Sequence, residues 1–376
     1  MAVKHDICIR GAGIVGRTLA LLLARERLRV ALVAPPASAV PAPSDVRAYA
    51  LSPASRQLLE SLRCWPEPHQ ATAVLAMQVH GDAQGVTHFS AQTQDVPALN
   101  WIVDVPALEQ RLADACQYQG SIDTVPAPVP AWLTVVCEGR ASRTRAELGV
   151  DFHAVRYPQD AIATRLTCER PHGQTARQWF MAEGDILALL PLGGDQGREV
   201  AVVWSVGTDR LAPLMELPDT DFAARLHTIS GGVLGALHVS APRASWPLLL
   251  AHAARWTGPM PGRPGESFAL AGDAAHAMHP LAGQGLNVGL GDVAELARVL
   301  AAREYWRTPA DLKLLRRYER ARQGAWLRMR LATDGLQQLF GRREAAAVAL
   351  RNWGMRAFDV SGPFKNHIAR LAMESG

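Results

Sequence analysis

Three glycines near the N-terminus, Gly11, Gly13 and Gly16, stand in the run Gly11-Ala12-Gly13-Ile14-Val15-Gly16, directly after the apolar Ile7, Cys8 and Ile9. At this spacing a tight turn can carry a strand into a helix. The first glycine permits the bend, the second lets the backbone approach a pyrophosphate, and the third lets the helix pack on the strand, while the helix N-terminus attracts phosphate charge. An ordinary glycine turn satisfies the same spacing, so the strand-to-helix context is what points to a nucleotide. The acid that such units place after their second strand, to bind an adenosine ribose, is missing: residues 30–33 run into Ala34. A second stretch holds Gly272, Asp273, His276, His279, Pro280, Gly283, Gln284, Gly285, Leu286 and Asn287. Asp273, His276 and His279 lie three apart, a spacing that would put metal ligands on one helical face. Gly283 and Gly285, just before a helix starting near Leu286, suit instead a loop of free backbone N–H groups for an anion or a ring, and on this reading the site needs no metal.

These residues require particular elements around them. Residues 7–9 and 30–33 read as buried strands, with Leu19, Leu22 and Leu23 at helical spacing between them, which makes the opening a dinucleotide-binding βαβ unit. Helices are expected over 53–62, with Ser52 as N-cap, and from Pro106 through Leu108, Leu112 and Cys116. Pro126, Pro128 and Pro130 exclude a central strand from 121–131, which reads as a loop. Strand-like runs at 161–167, 179–180, 186–190 and 200–206 predict a sheet, 268–271 a last short strand, and nearly everything beyond Gly285 reads helical, broken at Pro309 and Gly341.

The two glycine stretches, GAGIVG at 11–16 and LAGDAAHAMHPLAGQGLNVGLGDV at 270–293, together resemble the aromatic-ring flavoprotein monooxygenases, most closely the ubiquinone-biosynthesis hydroxylases. The likeness continues in 45–51, in 169–172 with 178–180, in 187–191, 317–320, 332–336 and 339–340, and in the tail 363–373, so it runs the length of the chain. It implies an α/β (α+β) fold: a Rossmann-like FAD-binding domain, an interleaved β-sheet substrate domain and a helical C-terminal region. The expected division is 1–150, 151–260 and 261–376. Carried over by position, Gly11, Gly13 and Gly16 hold the FAD pyrophosphate and Arg47 reaches the phosphates or the flavin side. Gly272 and Asp273 serve the ribityl or pyrophosphate region, and Pro280, Gly283, Gln284, Gly285, Leu286 and Asn287 line the isoalloxazine ring. Glu138 and Gly139, followed by Ser142, Arg143 and Arg145, match a third motif for FAD and NAD(P)H, with Glu where the family has Asp. Ala34, Glu138 and a short, proline-bearing 120–133 segment depart from the family pattern.

The implied activity is hydroxylation of a prenylated phenol in ubiquinone biosynthesis: NAD(P)H reduces FAD, and O2 then gives a flavin hydroperoxide that transfers oxygen to the ring. The cofactor carries that chemistry, so no acid–base pair is demanded. The strands of 161–206, with Trp179 and Trp204, form either the substrate wall or plain sheet core. His172 either orients a ring hydroxyl or is an exposed loop histidine. Rivals are a degenerate flavoprotein acting as a subunit of a biosynthetic complex, and a flavin halogenase, whose Trp-x-Trp-x-Ile-Pro motif is absent.

With 376 residues, 48% hydrophobic and 20% charged, the chain can bury a real core and is neither disordered nor a disulfide framework. The most apolar run, 19–24, is too short to span a bilayer, and Lys4, Asp6 and Arg10 interrupt any secretory signal. Five scattered cysteines suit a reducing cytoplasm. A net charge of +4 does not call for nucleic acid. Cations gather from Arg298 to Arg330 and again at Arg351, Arg356, Lys365 and Arg370. With Trp353, Phe358 and Phe364 they offer a peripheral contact to the inner membrane face or a biosynthetic complex, or simply a solvated helix packed on the flavin domain.

Overall fold

The structure is a computed structural model that describes residues 5–34, 45–81, 85–181, 184–277 and 285–341, with side chains through Leu327 except that of Asp195. Among the described residues the strands form three sheets. The first is built outward from His5–Arg10, which pairs in parallel with Val30–Val33 on one side and Ala131–Val136 on the other. Ser267–Leu270 continues it in parallel beyond Ala131–Val136, and Thr257–Pro259 closes that edge antiparallel. A parallel sheet covered on both faces needs apolar residues all along its strands, and Ile7, Ile9, Val30, Leu133, Val135, Phe268 and Leu270 are accordingly buried. The helices Ile14–Arg25, Val105–Gln117 and Gly285–Ala301 supply Leu19, Leu23, Leu108, Leu112, Leu290, Val293 and Leu296 to the same core.

The opening strand, turn, helix and strand are found as expected. Ser52 caps Pro53–Ser61 by accepting the Ser55 N–H at 3.2 Å. The stretch 121–131 is a correction: Ile122–Val125 is a strand, parallel to Val30–Val33, at the far edge of the first sheet. An edge strand needs a partner on one side only, and its prolines lie just past it. Ser267–Leu270 is likewise not the last strand, since His276–Ala277 pairs with His252 and Ala251.

The second sheet has nine strands, dominated by the antiparallel Phe152–Cys168, Glu199–Gly207 and Ile186–Leu192. Alternation divides its two faces. Ile162, Leu187, Leu189, Val200, Val202 and Trp204 pack under the helices Thr208–Glu216 and Asp219–Ile229 through Leu214, Phe222 and Leu226. Ala176, Leu192 and Ala201 face Ala50, Val74 and Ile102 of the third, three-stranded sheet. Ala76–His80, from the first 150 residues, joins the second sheet in parallel with Thr175–Phe180, and Val86–Ser90 follows it. Thr257–Pro259 belongs to the first sheet, so the lobes exchange strands across residues 150 and 260. The long helix Leu312–Gly341 ties the ends together: the Tyr318 hydroxyl donates to Leu270 O at 2.7 Å, and Glu319 accepts the Trp256 N–H at 2.6 Å.

Candidate functional site

The glycine turn separates into two kinds of requirement. Gly11 has φ of 114°, and a Cβ there would lie 2.5 Å from Cys137 O; a Cβ on Gly16 would lie 1.9 Å from Gly11 O. Those two glycines are demanded by the bend and by helix-on-strand packing. Gly13 is different. It has an ordinary backbone conformation, caps Ile14–Arg25 with no side-chain hydrogen bond, and a Cβ on it would meet nothing within 4 Å. Open space thus lies directly before an uncapped helix N-terminus, a cradle that fits the pyrophosphate of FAD.

The second motif packs onto this turn. Gly272 (φ 61°) and Gly289 both admit Val15, whose Cγ atoms would lie 3.4 and 3.0 Å from a Cβ on each. The fully buried Asp292 organises the rest: it accepts the Gly272 N–H at 2.9 Å, His276 Nε2–H at 2.7 Å and Arg322 Nε–H at 2.8 Å. Burial would raise its pKa, but His276 and then Arg322 outweigh this and hold it below the usual carboxylate value. Gly291 leaves room for the guanidinium, since a Cβ there would lie 2.7 Å from Arg322 Nη2. Asp273 is exposed, although protein crowds around it. Desolvation therefore raises its pKa, helped by Asp292 and opposed by His276, Arg140 and Arg47.

Arg47 is held by Asp45, its Nε donating at 2.8 Å, with Glu109 further off at 3.9 Å. Asp45 chiefly keeps its pKa above the usual arginine value. Glu138 accepts from Ser142 Oγ at 2.7 Å, Thr144 Oγ1 at 2.6 Å and Thr144 N at 3.2 Å, and faces Arg10 at 3.2 Å. Burial alone would raise its pKa; the Thr144 and Ser142 hydrogen bonds bring it down. This carboxylate thus fastens the loop entering Arg143–Glu147. Arg145 joins that motif to the second one, donating to Ala274 O at 3.0 Å. Gly139 has φ of 78° and open space where a Cβ would be.

Gly272 and Gly289 therefore meet at Val15, two residues past Gly13, while Gly11 and Gly16 meet each other and Cys137, which Glu138 and Gly139 follow. Gly285 begins its helix, a Cβ on it would meet nothing within 4 Å among the described residues, and Leu286 packs on the core. Asn287 is fully buried and acts within the protein: its Oδ1 accepts Ser52 N–H at 2.9 Å and Ser55 Oγ–H at 2.8 Å, and its Nδ2 donates to Ala50 O at 2.8 Å. His279, Pro280, Gly283 and Gln284 lie outside the described residues, as do Trp353, Phe358 and Phe364. Ala34 gives its N–H to Val125 O at 3.0 Å and brings no carboxylate to the end of Val30–Val33.

One expectation needs correction, and one open alternative is decided. His172 is not an exposed loop residue but 1% exposed. Its Nδ1 accepts the Gln174 N–H at 3.0 Å, so its Nε2 carries the proton donated to Leu192 O at 2.9 Å. Both nitrogens are spent inside the protein, and none remains for a ring hydroxyl. Trp204 packs against Phe222, with centroids 5.9 Å apart, on the helix-covered side of its sheet, as core. Trp179 stacks on His80 at 5.1 Å. No grouping of three or more His, Cys, Asp or Glu placed to hold a metal occurs among the described residues. Sequence reasoning gave no role to Asp292 or Arg322. The available signal was Asp292 set among the mostly apolar residues of 285–301.

Residues 119–330 match the family described as an FAD binding domain. The chain is 31% identical to ubiquinone hydroxylase UbiL of Rhodospirillum rubrum, over 98% of this chain and 89% of that protein. It is 29% identical to 3-demethoxyubiquinol 3-hydroxylase of Escherichia coli, over 98% of each. Among solved structures, pqsL, a probable FAD-dependent monooxygenase from Pseudomonas aeruginosa, superposes with a TM-score of 0.77 at 19% identity, covering 94% of this chain and all of that one. This last likeness speaks for the fold.

Proposed function

The chain belongs to the ubiquinone-biosynthesis family of FAD-dependent aromatic-ring monooxygenases, and we propose that its own substrate is a prenylated phenol on the route to ubiquinone. The observation that carries this reading is the open, uncapped helix N-terminus at Gly13, brought against the Asp273 motif through Val15. The amides behind Gly13 would hold the pyrophosphate, and Arg47 would add positive charge at its side. Asp273 would accept hydrogen bonds from the cofactor's hydroxyl groups. Asp292 keeps Gly272 and His276 in place, and Glu138 with Arg145 fixes the adjoining loop. Bound there, FAD supplies the redox chemistry, taking electrons from NAD(P)H and activating O2 so that one oxygen atom reaches the ring.

No helix among the described residues is long and apolar enough to cross a membrane. A prenylated substrate nevertheless resides in lipid, so the proposal includes an encounter at the inner membrane face or within a biosynthetic complex. The relatives' printed names, ubiquinone hydroxylase and 3-demethoxyubiquinol 3-hydroxylase, support this substrate class. The experiment incubates the FAD-loaded protein with NAD(P)H, O2 and a short-chain prenylated phenol. A product gaining one oxygen atom supports the assignment. Oxidation of NAD(P)H without any ring product, across a set of prenylated phenols, counts against it.

A further inference from the structure

Beyond the helix Gly285–Ala301 the chain turns through a short loop that leaves two aromatic rings in solvent. Tyr305 is 94% and Trp306 64% exposed, and the rings meet edge to face with centroids 4.9 Å apart. Adjacent large aromatics left in water need a reason, because burying such area is the main gain of folding.

The helix that follows supplies a second observation. Leu314, Leu315, Tyr318 and Trp326 face the core, while Lys313, Arg316, Arg317 and Arg320 lie exposed on the other side. The nearby acids do not cancel this charge. Glu319 turns inward to Trp256 N and Thr257 Oγ1, at 2.6 and 3.0 Å. Glu304 and Asp311 are both taken up by Arg307. Only residues 307–311 separate the two rings from the first turn of this helix, at Leu312.

We propose that this loop and helix face form a docking surface for an anionic lipid bilayer. Tyr and Trp have apolar bodies and polar tips that suit the headgroup level, and lysine and arginine around them attract anionic lipid. A nucleic acid would call for cations along a groove that tracks a backbone. Here exposed cations on one helix follow two exposed rings in the loop before it, an arrangement that suits a broad interface. The proposal deepens the membrane encounter suggested above and rests on that reading for its purpose, but the surface stands on its exposed residues.

The test sediments the full chain with vesicles of phosphatidylcholine alone and of phosphatidylcholine containing phosphatidylglycerol, with no substrate present. Binding is expected to the anionic vesicles only, and to weaken with salt. Trp306→Ala should weaken it about tenfold, and Arg317→Ala about fivefold. Wild type left in the supernatant with anionic vesicles, or Trp306→Ala sedimenting like wild type, overturns the proposal. So does a dimer in lipid-free solution that Trp306→Ala dissolves, which would give the face to a second copy, or Trp306-dependent capture of DNA without vesicle binding. Ring oxidation of a short-chain soluble phenol is read separately. If it fails while vesicle binding holds, the substrate assignment falls and the docking surface stands; the opposite result does the reverse.

Discussion

The Asp292 carboxylate lies 2.7 Å from His276 Nε2, with the two side chains 0% and 2% exposed. Its other oxygen takes Arg322 Nε–H at 2.8 Å. One acid therefore joins the loop after Ser267–Leu270, the helix on which it sits and the helix Leu312–Gly341. Removing one partner of a buried pair strands the other charge, at a cost of about 3–5 kcal/mol. Asp292→Ala should unfold at lower denaturant by about that amount, and a midpoint within error of wild type would refute the role.

The same residue sets a pH dependence. Its folded pKa is lowered, so its contribution is present above the unfolded value of about 4 and is lost as pH falls through the folded value. The stability advantage of wild type over Asp292→Asn should accordingly shrink as pH falls below about 4. An advantage that persists undiminished to pH 2 would assign it to packing instead.

Gly13 and Gly16 should respond in opposite ways. Gly16→Ala drives a methyl to 1.9 Å from Gly11 O, so thermal stability should fall whether or not flavin is present. Gly13→Val fills open space, so the apoprotein should melt near wild type while FAD retention is abolished. Full flavin occupancy in Gly13→Val would sink the pyrophosphate assignment.

This contrast shows what a sequence makes legible. The turn and its flanking strands and helix are decided by neighbours in the chain, and the residues that decide them are adjacent. Asp292 and Arg322 are thirty positions apart, and nothing local announces that their side chains meet. The parallel pairing of Ala76 with Thr175 is hidden for the same reason. His172 follows a proline and precedes a glycine, a composition that reads as exposed; only the return of Leu192 and Gln174 around its ring buries it. Strand Ile122–Val125 escaped because its prolines exclude a central position but not an edge.

Asp273 should trade stability for binding. Its folded pKa is raised, chiefly by desolvation, so its ionised form opposes folding, and stability falls as pH rises from the unfolded value through the folded one. At neutral pH the flavin-free Asp273→Asn should melt above flavin-free wild type, yet hold FAD more weakly because a charge-assisted acceptor is gone. A variant that melts lower as apoprotein, or binds FAD as tightly as wild type, contradicts the assignment.

The last prediction concerns Ala34, which ends Val30–Val33 where a ribose-binding acid is expected. Its N–H is already committed to Val125 O at 3.0 Å, so the backbone is in place and only the side chain is deficient. A carboxylate there would accept hydrogen bonds from the adenosine hydroxyls; bonds of that kind contribute about 1.5–3 kcal/mol, or about one to two decades in affinity. Water can satisfy an exposed hydroxyl and reduces the difference. Glu138 cannot substitute, because its oxygens are taken by Ser142 and Thr144. Wild type should therefore purify partly empty of FAD, and titration of Ala34→Glu should show binding at least about threefold tighter. Equal affinities would mean that another group holds the ribose.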